Sequence, residues 1–270
     1  MSAPEALALI AAGVAIGAYA TAIGAGGGFL IAPLLLLRYP EAEPAFVTTG
    51  SLTVVTLTSA ISSLVVHRER IVDRPIVFAM ASVAIPAALF GAVGTSLLPR
   101  NVFAAGFAVF LLLLAAYLVW RPTAGVVRSR GRSWRRVIVT RDGARYEYRV
   151  PIVQSILPNV GEAFLAALAG IGGGPIGVPL MTRIMRIPHA VAVPSIHLLI
   201  FMQSLSVVAL HLALDHGGDP MRDVPFLGLG VVVANPLGHW LRRRLGEGFL
   251  MRALAIGLVA VAATTATAAH

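Results

Sequence analysis

The sequence has no cysteine and no lysine, and charged residues make up only 12% of its 270 residues. The missing cysteine excludes disulfides, thiolate metal sites and a cysteine nucleophile. Because a soluble domain carries about 25% charged residues, a globular protein with so little charge could not cover its surface with polar groups. With 57% hydrophobic residues and a mean hydropathy of +0.85, the composition indicates a chain that lipid solvates in part.

The N-terminus also lacks the basic residues that precede the apolar run of a signal peptide, so its first apolar run is interpreted as a membrane segment. A hydrocarbon core about 30 Å thick requires about 20 apolar residues per helix. Segments 26–37 and 175–187 are short for a straight crossing, and both follow glycine runs. The ten apolar segments lie at about 5–23, 26–37, 44–66, 75–98, 101–120, 152–170, 175–187, 189–214, 224–241 and 247–267.

The two halves of the chain repeat one pattern. Segments 24–34 and 170–180 both read G-x-G-G-G-x4-P-L at an offset of 146, and Ser51 matches Ser195 at an offset of 144, as Gly94 matches Gly238. Each half therefore contains a helix, a glycine break, a short helix and three longer helices. The sequence predicts an all-α polytopic membrane bundle with a first repeat at 1–121, a basic insert at 122–150 and a second repeat at 151–270.

The insert is the one long polar stretch, with nine arginines from Arg121 to Arg149. Segments 134–140 and 145–150 are rich in β-formers and flank Asp142-Gly143, which predicts a β-hairpin. A disordered basic linker is the alternative. The remaining arginines stand mostly at the ends of apolar runs, which is typical of topology signals and contact with anionic headgroups. The predicted partners are therefore membrane lipid and a small anionic substrate. Nucleic acid is not a predicted partner, and a homo-oligomer is a further possibility.

The distribution of arginines also bears on topology. If the short segments cross the membrane, each half has five crossings, the halves are inverted, and a cytoplasmic insert leaves 18 arginines inside and 3 outside. If they dip in and return, the halves are parallel and the split is 13 to 8. The positive-inside rule favours the inverted arrangement, with the N-terminus outside a bacterial inner membrane. The two breaks would then enter from opposite faces.

The chain resembles the TauE/SafE family of membrane permeases over nearly its whole length. The resemblance is carried by the two G-x-G-G-G-x4-P-L motifs, the Thr48-Thr49-Gly50-Ser51 segment, the loop from Val66 to Val72 and the pair Gly91 and Gly94. The resemblance implies export or uptake of sulfite, sulfoacetate or related small anions, coupled to an ion gradient. The second half departs from the family pattern, because Pro194-Ser195 stands where a Thr-Ser pair is frequent and Pro175 directly follows the glycines. These departures bear on the substrate more than on the fold.

The glycine runs are the first candidate substrate site. Each precedes a short helix, so free backbone N–H groups and the positive end of a helix dipole face the break, and both attract anions. Packing between helices through small residues is the alternative. Pro33 and Pro179 are expected to end or kink the short helices. The predicted substrate-binding glycines are Gly24, Gly26, Gly27, Gly28, Gly170, Gly172, Gly173 and Gly174.

Polar side chains near the breaks form the second set of candidates. The hydroxyls of Thr48, Thr49, Ser51 and Ser195 stand near helix starts, where they can donate to an oxyanion or cap the helix. His197, Glu162 and Gln203 lie within apolar runs and are candidates for ion coupling. The alternatives are a structural hydrogen bond for the histidine and, for Glu162, a solvated place near the cytoplasmic end.

A secondary transporter for small oxyanions is the predicted function. The sequence contains no H-E-x-x-H, Walker A or nucleophile-elbow motif, so no enzyme activity, metal or cofactor is predicted. Two alternatives remain open. A passive anion channel would share every feature above, and a non-transporting membrane subunit could use its glycines for packing alone.

Overall fold

A computed structural model describes residues 2–23, 27–67, 69–120, 133–245 and 247–267. Each predicted apolar segment forms a helix there, and a two-stranded sheet stands between the fifth and sixth helices, which confirms the predicted fold class. The elements are α1 (Ala3–Ile23), α2 (Gly28–Arg38), α3 (Pro44–His67), α4 (Arg74–Ser96), α5 (Arg100–Trp120), β1 (Ser133–Val139), β2 (Arg145–Pro151), α6 (Ile152–Leu168), α7 (Gly174–Pro179), α8 (His189–Ala213), α9 (Val224–Arg244) and α10 (Glu247–Thr267).

Several helices have the length and composition of membrane spans. Within the described residues, four are long and apolar enough to cross a bilayer, namely Ala3–Ala22, Pro44–His67, Arg74–Ser96 and His189–Ala213. Large apolar side chains point outward, as Phe90 and Leu157 show with 73% and 78% exposure. Helices satisfy their own backbone hydrogen bonds, so a bundle with this outer surface is suited to lipid.

The two repeats are inverted. Helices α3 and α8 occupy equivalent places in the two halves and pack against each other. Thr49 near the start of α3 contacts His211 near the end of α8 at 2.9 Å, and Thr56 further along α3 contacts Ser204 at 2.9 Å. Residue numbers rise along one helix as they fall along the other, so the pair is antiparallel. Because equivalent helices run in opposite directions, the parallel-repeat alternative is wrong.

The first helix of each repeat packs against the fourth helix of the other repeat. Helix α1 packs against α9, and its equivalent α6 packs against α4. Glycine permits the close approach, since a Cβ on Gly17 would lie 2.6 Å from the Cα of Val231, and a Cβ on Gly91 would overlap the carbonyl oxygen of Phe164. For these glycines away from the breaks, packing through small residues is sufficient explanation.

The short helices begin alike. Gly27 caps α2 with φ 83° and ψ −16°, and Gly173 caps α7 with φ 82° and ψ −16°. This left-handed conformation disfavours any side chain, which explains why both repeats carry glycine there. The two prolines differ in effect. Helix α2 continues through Pro33, whereas at Pro179 the chain changes to a π-helix over Leu180–Ile184.

The predicted β-hairpin is confirmed for residues 133–151. Strands β1 and β2 pair antiparallel from Ser133 opposite Pro151 to Val139 opposite Arg145, and Gly143 in the turn has φ 85°. Ile138, Tyr148 and Val150 belong to the same buried cluster as side chains of α4 and α8. The hairpin is therefore packed onto the bundle, and the disordered-linker alternative is wrong for these residues. The rest of the insert, 121–132, lies outside the described residues.

Candidate functional site

The two glycine breaks contact each other inside the bundle. A Cβ on Gly28 would lie 2.6 Å from the carbonyl oxygen of Ile171 and 2.8 Å from Val55 Cγ2, so the backbone of the second break touches the start of α2. The buried hydroxyl of Ser51 donates to the carbonyl oxygens of Gly170 at 2.8 Å and Gly28 at 3.3 Å. Ser51 thus joins the two breaks. Gly24 and Gly26 lie outside the described residues.

The second break is packed tightly against α3. A Cβ on Gly170 would lie 2.7 Å from Thr48 Cγ2, and one on Gly172 would overlap the side chain of Val55. Both glycines have positive φ, as Gly173 has. Gly174 then begins α7 and is buried. The chain therefore brings Gly27, Gly28 and the four glycines of the second break together, and small residues are needed there for fit as well as for conformation.

Glu162 lies against the cap of α7. Its side chain is 2% exposed, and a Cβ on Gly173 would overlap its Oε1 atom and lie 3.5 Å from Gln203 Oε1. Both carboxyl oxygens, like the Gln203 amide nitrogen, lack a hydrogen bond of ordinary geometry among the described residues. The suggestion that Glu162 is solvated near a membrane surface is therefore wrong. The carboxyl is buried beside the break, against Gly173 and Gly177, with Gln203 of α8 close by.

The predicted hydroxyls differ in their surroundings. Thr48 and Thr49 both donate to the carbonyl oxygen of Ala45 within α3, at 3.0 and 2.6 Å, and Thr49 also contacts His211 Nδ1. Ser195, the sequence equivalent of Ser51, accepts a hydrogen bond from the backbone N–H of Asp73 at 3.0 Å. Ser51 is therefore the predicted hydroxyl that bonds to the breaks, and Ser195 bonds to the start of α4.

Two histidines of α8, His197 and His211, are buried and contact carbonyl oxygens. His197 Nδ1 lies 2.8 Å from the carbonyl oxygen of Val193, one turn earlier in the same helix. His211 Nε2 lies 3.2 Å from the carbonyl oxygen of Ala92 in α4. His211 therefore connects α8 to both α3 and α4, a role that its sequence position does not reveal.

The described residues leave little empty space beside the second break. A cavity of about 10 Å³ lies beside Gly172 and Gln203, which is room for one water-sized group. Ser204 lines it and receives a hydrogen bond from Thr56 at 2.9 Å. The described residues contain no cluster of three or more histidine, cysteine or acidic side chains that could hold a metal. The arrangement offers glycine backbone, one serine hydroxyl, one carboxyl and one amide, a set suited to anion and proton binding.

Two buried aspartates at helix starts were missed by sequence reasoning. Asp73 precedes α4 and accepts two hydrogen bonds from Arg136 Nε and one at 2.8 Å from Nη2, together with one at 2.6 Å from the Tyr148 hydroxyl. Asp223 precedes α9, the equivalent helix, and pairs with Arg38 at 2.6 Å. An aspartate directly before a proline-containing helix start, present in both halves, was the available signal.

The fold and the buried breaks define a class of protein, a polytopic membrane protein built from inverted repeats with interrupted helices. The model of the sulfite exporter TauE/SafE family matches residues 9–265, so the chain belongs to this family of membrane transporters. A probable membrane transporter protein, YunE of Bacillus subtilis (strain 168), is 27% identical over 216 residues, which cover 77% of this chain and 78% of that protein. No solved structure matches the chain significantly.

Proposed function

We propose that the chain is a secondary transporter that carries sulfite, sulfoacetate or related organosulfonates and carboxylates across the bacterial inner membrane. The observation that supports this is the contact of Gly28 with Ile171, which brings buried non-helical backbone from two inverted repeats together. Such backbone persists at membrane depth only where protein buries it or where it lines a cavity. Interrupted helices at matching positions of inverted repeats are typical of secondary transporters.

The anion would bind between the breaks in an open form of the protein. Backbone N–H groups at the start of α2 and along the second break, with the Ser51 hydroxyl, would bind an oxyanion without a buried arginine. The N-terminus would lie outside and the hairpin in the cytoplasm, as the arginine distribution favours. The small size of the cavity beside Gly172 and Gln203 supports an alternating-access cycle over a permanently open channel, which needs a continuous path.

Glu162 would couple transport to a proton. An anion beside Gly173 and an ionised Glu162 would repel each other at close range, so anion binding would be accompanied by proton uptake at the carboxyl. Gln203 and Gly173 lie against this carboxyl. His197, on α8 with Gln203, is a further candidate for the coupling group, and the predicted hydroxyls other than Ser51 would shape the surroundings of the site.

Uptake of labelled sulfite and sulfoacetate into proteoliposomes with an imposed pH gradient tests the proposal. Wild-type uptake should follow the gradient, whereas Glu162→Gln should keep anion exchange at equal pH and lose the response to the gradient. Glu147→Gln, which changes an exposed hairpin carboxylate, is the matched control and should behave as wild type. Wild-type flux that responds to neither an imposed proton gradient nor an imposed sodium gradient would establish a passive channel. If the protein shows no flux, and no anion of a wide panel raises its thermal stability, the protein is a non-transporting subunit.

A further inference from the structure

A large cavity lies at the hairpin end of the bundle, away from the glycine breaks. It has a volume of about 1070 Å³ and stands between the end of α3, the start of α4, the turn of the hairpin and the middle of α8. Its outer part is lined by His67, Arg70, Arg74 and Arg141, all of which are exposed. This basic vestibule is about a hundred times larger than the cavity beside Gly172.

The chain holds the arginines of the vestibule in place from two elements. Arg70, in the loop between α3 and α4, has φ 56°, an uncommon conformation for a residue with a side chain. Arg141 directly follows β1, and its backbone N–H donates to the carbonyl oxygen of Glu69 at 3.1 Å. Arg74 Nη2 lies 3.0 Å from His67 Nδ1. The loop and the hairpin turn are therefore joined, and their guanidinium groups line one cavity.

The positive charge of the vestibule is not neutralised by its own lining, which contains no carboxylate. None of Arg70, Arg74 and Arg141 forms a salt bridge with another described residue. The neighbouring carboxylate of Asp142 accepts a hydrogen bond from the Thr140 hydroxyl within the turn. A concave, low-dielectric surface that carries one sign of charge concentrates ions of the opposite sign.

The vestibule points toward the glycine breaks. Its inner wall is formed by Ser63 of α3 and by Leu198 and Phe201 of α8. Thr56, two turns further along α3 from Ser63, donates to Ser204 at 2.9 Å, and Ser204, about one turn beyond Phe201 in α8, lines the small cavity at Gly172 and Gln203. The packing of α3 against α8 therefore lies between the vestibule and the small cavity.

We propose that the basic vestibule binds a small oxyanion of the sulfate or sulfonate type before the anion reaches the breaks. The purpose of this binding rests on the proposed transport function, but the binding itself does not. Guanidinium groups bind such anions through planar, charge-assisted hydrogen bonds. Arg70 and Arg141 converge on the anion, and Arg74 contributes charge beside His67. Separation of the Thr56–Ser204 contact would admit the anion to the centre. An anionic lipid headgroup offers the same chemistry, so the source of the anion has to be tested.

Calorimetric titration of inorganic sulfate into the full chain, in nanodiscs of phosphatidylcholine alone, tests binding. Arg70→Gln and Arg141→Gln should each weaken sulfate affinity about tenfold, and Arg141→Lys should restore part of it because the charge returns. Arg149→Gln, which changes an exposed arginine of the same hairpin outside the vestibule, should leave the affinity unchanged. Wild-type sulfate affinity in the Arg70→Gln/Arg141→Gln double variant, with unchanged thermal stability, would overturn the proposal.

Transport in proteoliposomes of known orientation separates this proposal from the proposed function. The double variant should raise the KM for a labelled oxyanion presented from the hairpin side, with kcat and the opposite-side KM unchanged. A wild-type protein that binds sulfate through these arginines but moves no anion would overturn transport and leave the binding site standing. If the double variant transports normally and its hairpin-side KM is unaltered, the vestibule proposal is overturned and the transport proposal stands. Phosphatidylglycerol is the competing ligand. If it displaces sulfate, and copurifies with the wild type but not with the double variant, the vestibule binds a lipid headgroup and the proposal of a soluble anion is overturned.

Discussion

Replacement of Gly28 by alanine tests whether contact between the breaks is essential. The new Cβ would lie 2.6 Å from the carbonyl oxygen and 2.7 Å from the carbonyl carbon of Ile171, and 2.8 Å from Val55 Cγ2. Ordinary contacts of a Cβ begin near 3.4 Å, so the second break has to move by nearly 1 Å. Two of the three neighbouring atoms are backbone, which cannot rotate away. The bond from Ser51 to the Gly170 carbonyl, now 2.8 Å, would be stretched by the same movement.

The expected cost follows from these contacts. Overpacking of a tight interior costs about 1–3 kcal/mol, and the stretched serine bond adds about 1 kcal/mol. Gly161→Ala is the matched control, because it is also a helical glycine but a Cβ there meets nothing within 4 Å. In detergent, the thermal unfolding temperature should fall clearly for Gly28→Ala and should not fall for Gly161→Ala. Oxyanion uptake should be reduced in Gly28→Ala and not in Gly161→Ala. Wild-type stability and uptake in Gly28→Ala would refute the view that the breaks must touch.

Two further predictions concern the docking of the hairpin. Arg136→Gln leaves the buried Asp73 carboxylate without its cationic partner and should cost about 3–5 kcal/mol, whereas Arg135→Gln removes only an exposed pair with Glu147 and should cost about 0–1 kcal/mol. Faster hydrogen exchange at Val150 in the first variant alone would support this, and equal exchange in both would contradict it. Burial, followed by the hydrogen bond to Asp73, raises the pKa of Tyr148 above its ordinary value. The contribution of Tyr148 to hairpin docking should therefore be fully present below about pH 10, the ordinary tyrosine pKa, and should be lost as the pH rises above it. Tyr148→Phe should abolish this alkaline loss in pH-dependent proteolysis, and an unchanged alkaline loss would point to another group.

The helices follow from sequence because each depends on local composition. An apolar run of about 20 residues in lipid has helix as its only open-chain solution, so the boundaries of α3, α4 and α10 fall within two residues of the segments expected from the sequence. The glycine breaks and the hairpin turn were likewise predictable, since left-handed backbone at Gly27, Gly143 and Gly173 selects for glycine.

The contacts of the candidate site were less predictable, because they join residues far apart in the chain. The burial of Glu162 depends on how α6 packs, and its helical pattern alone does not fix that depth. Ser51 and Ser195 are equivalent in sequence yet bond to different elements, because α4 packs against α8 and places the N–H of Asp73 beside Ser195. The vestibule depends on where the hairpin turn docks, and a one-dimensional pattern contains no information about that placement.

The inverted repeats are alike in backbone and unlike in chemistry. Gly27 and Gly173 have the same conformation, and the helix that precedes each break packs against the capping glycine. In the second repeat that helix contributes Glu162, whereas in the first repeat it contributes Ala20 Cβ and Ile16 Cγ2, which would lie 3.3 and 3.5 Å from a Cβ on Gly27. The two breaks therefore cannot have equal affinity for an anion and a proton. If transport is coupled to protons, Glu162 at the second break is the ionisable group, among the described residues packed against the two capping glycines, that would make the cycle depend on pH.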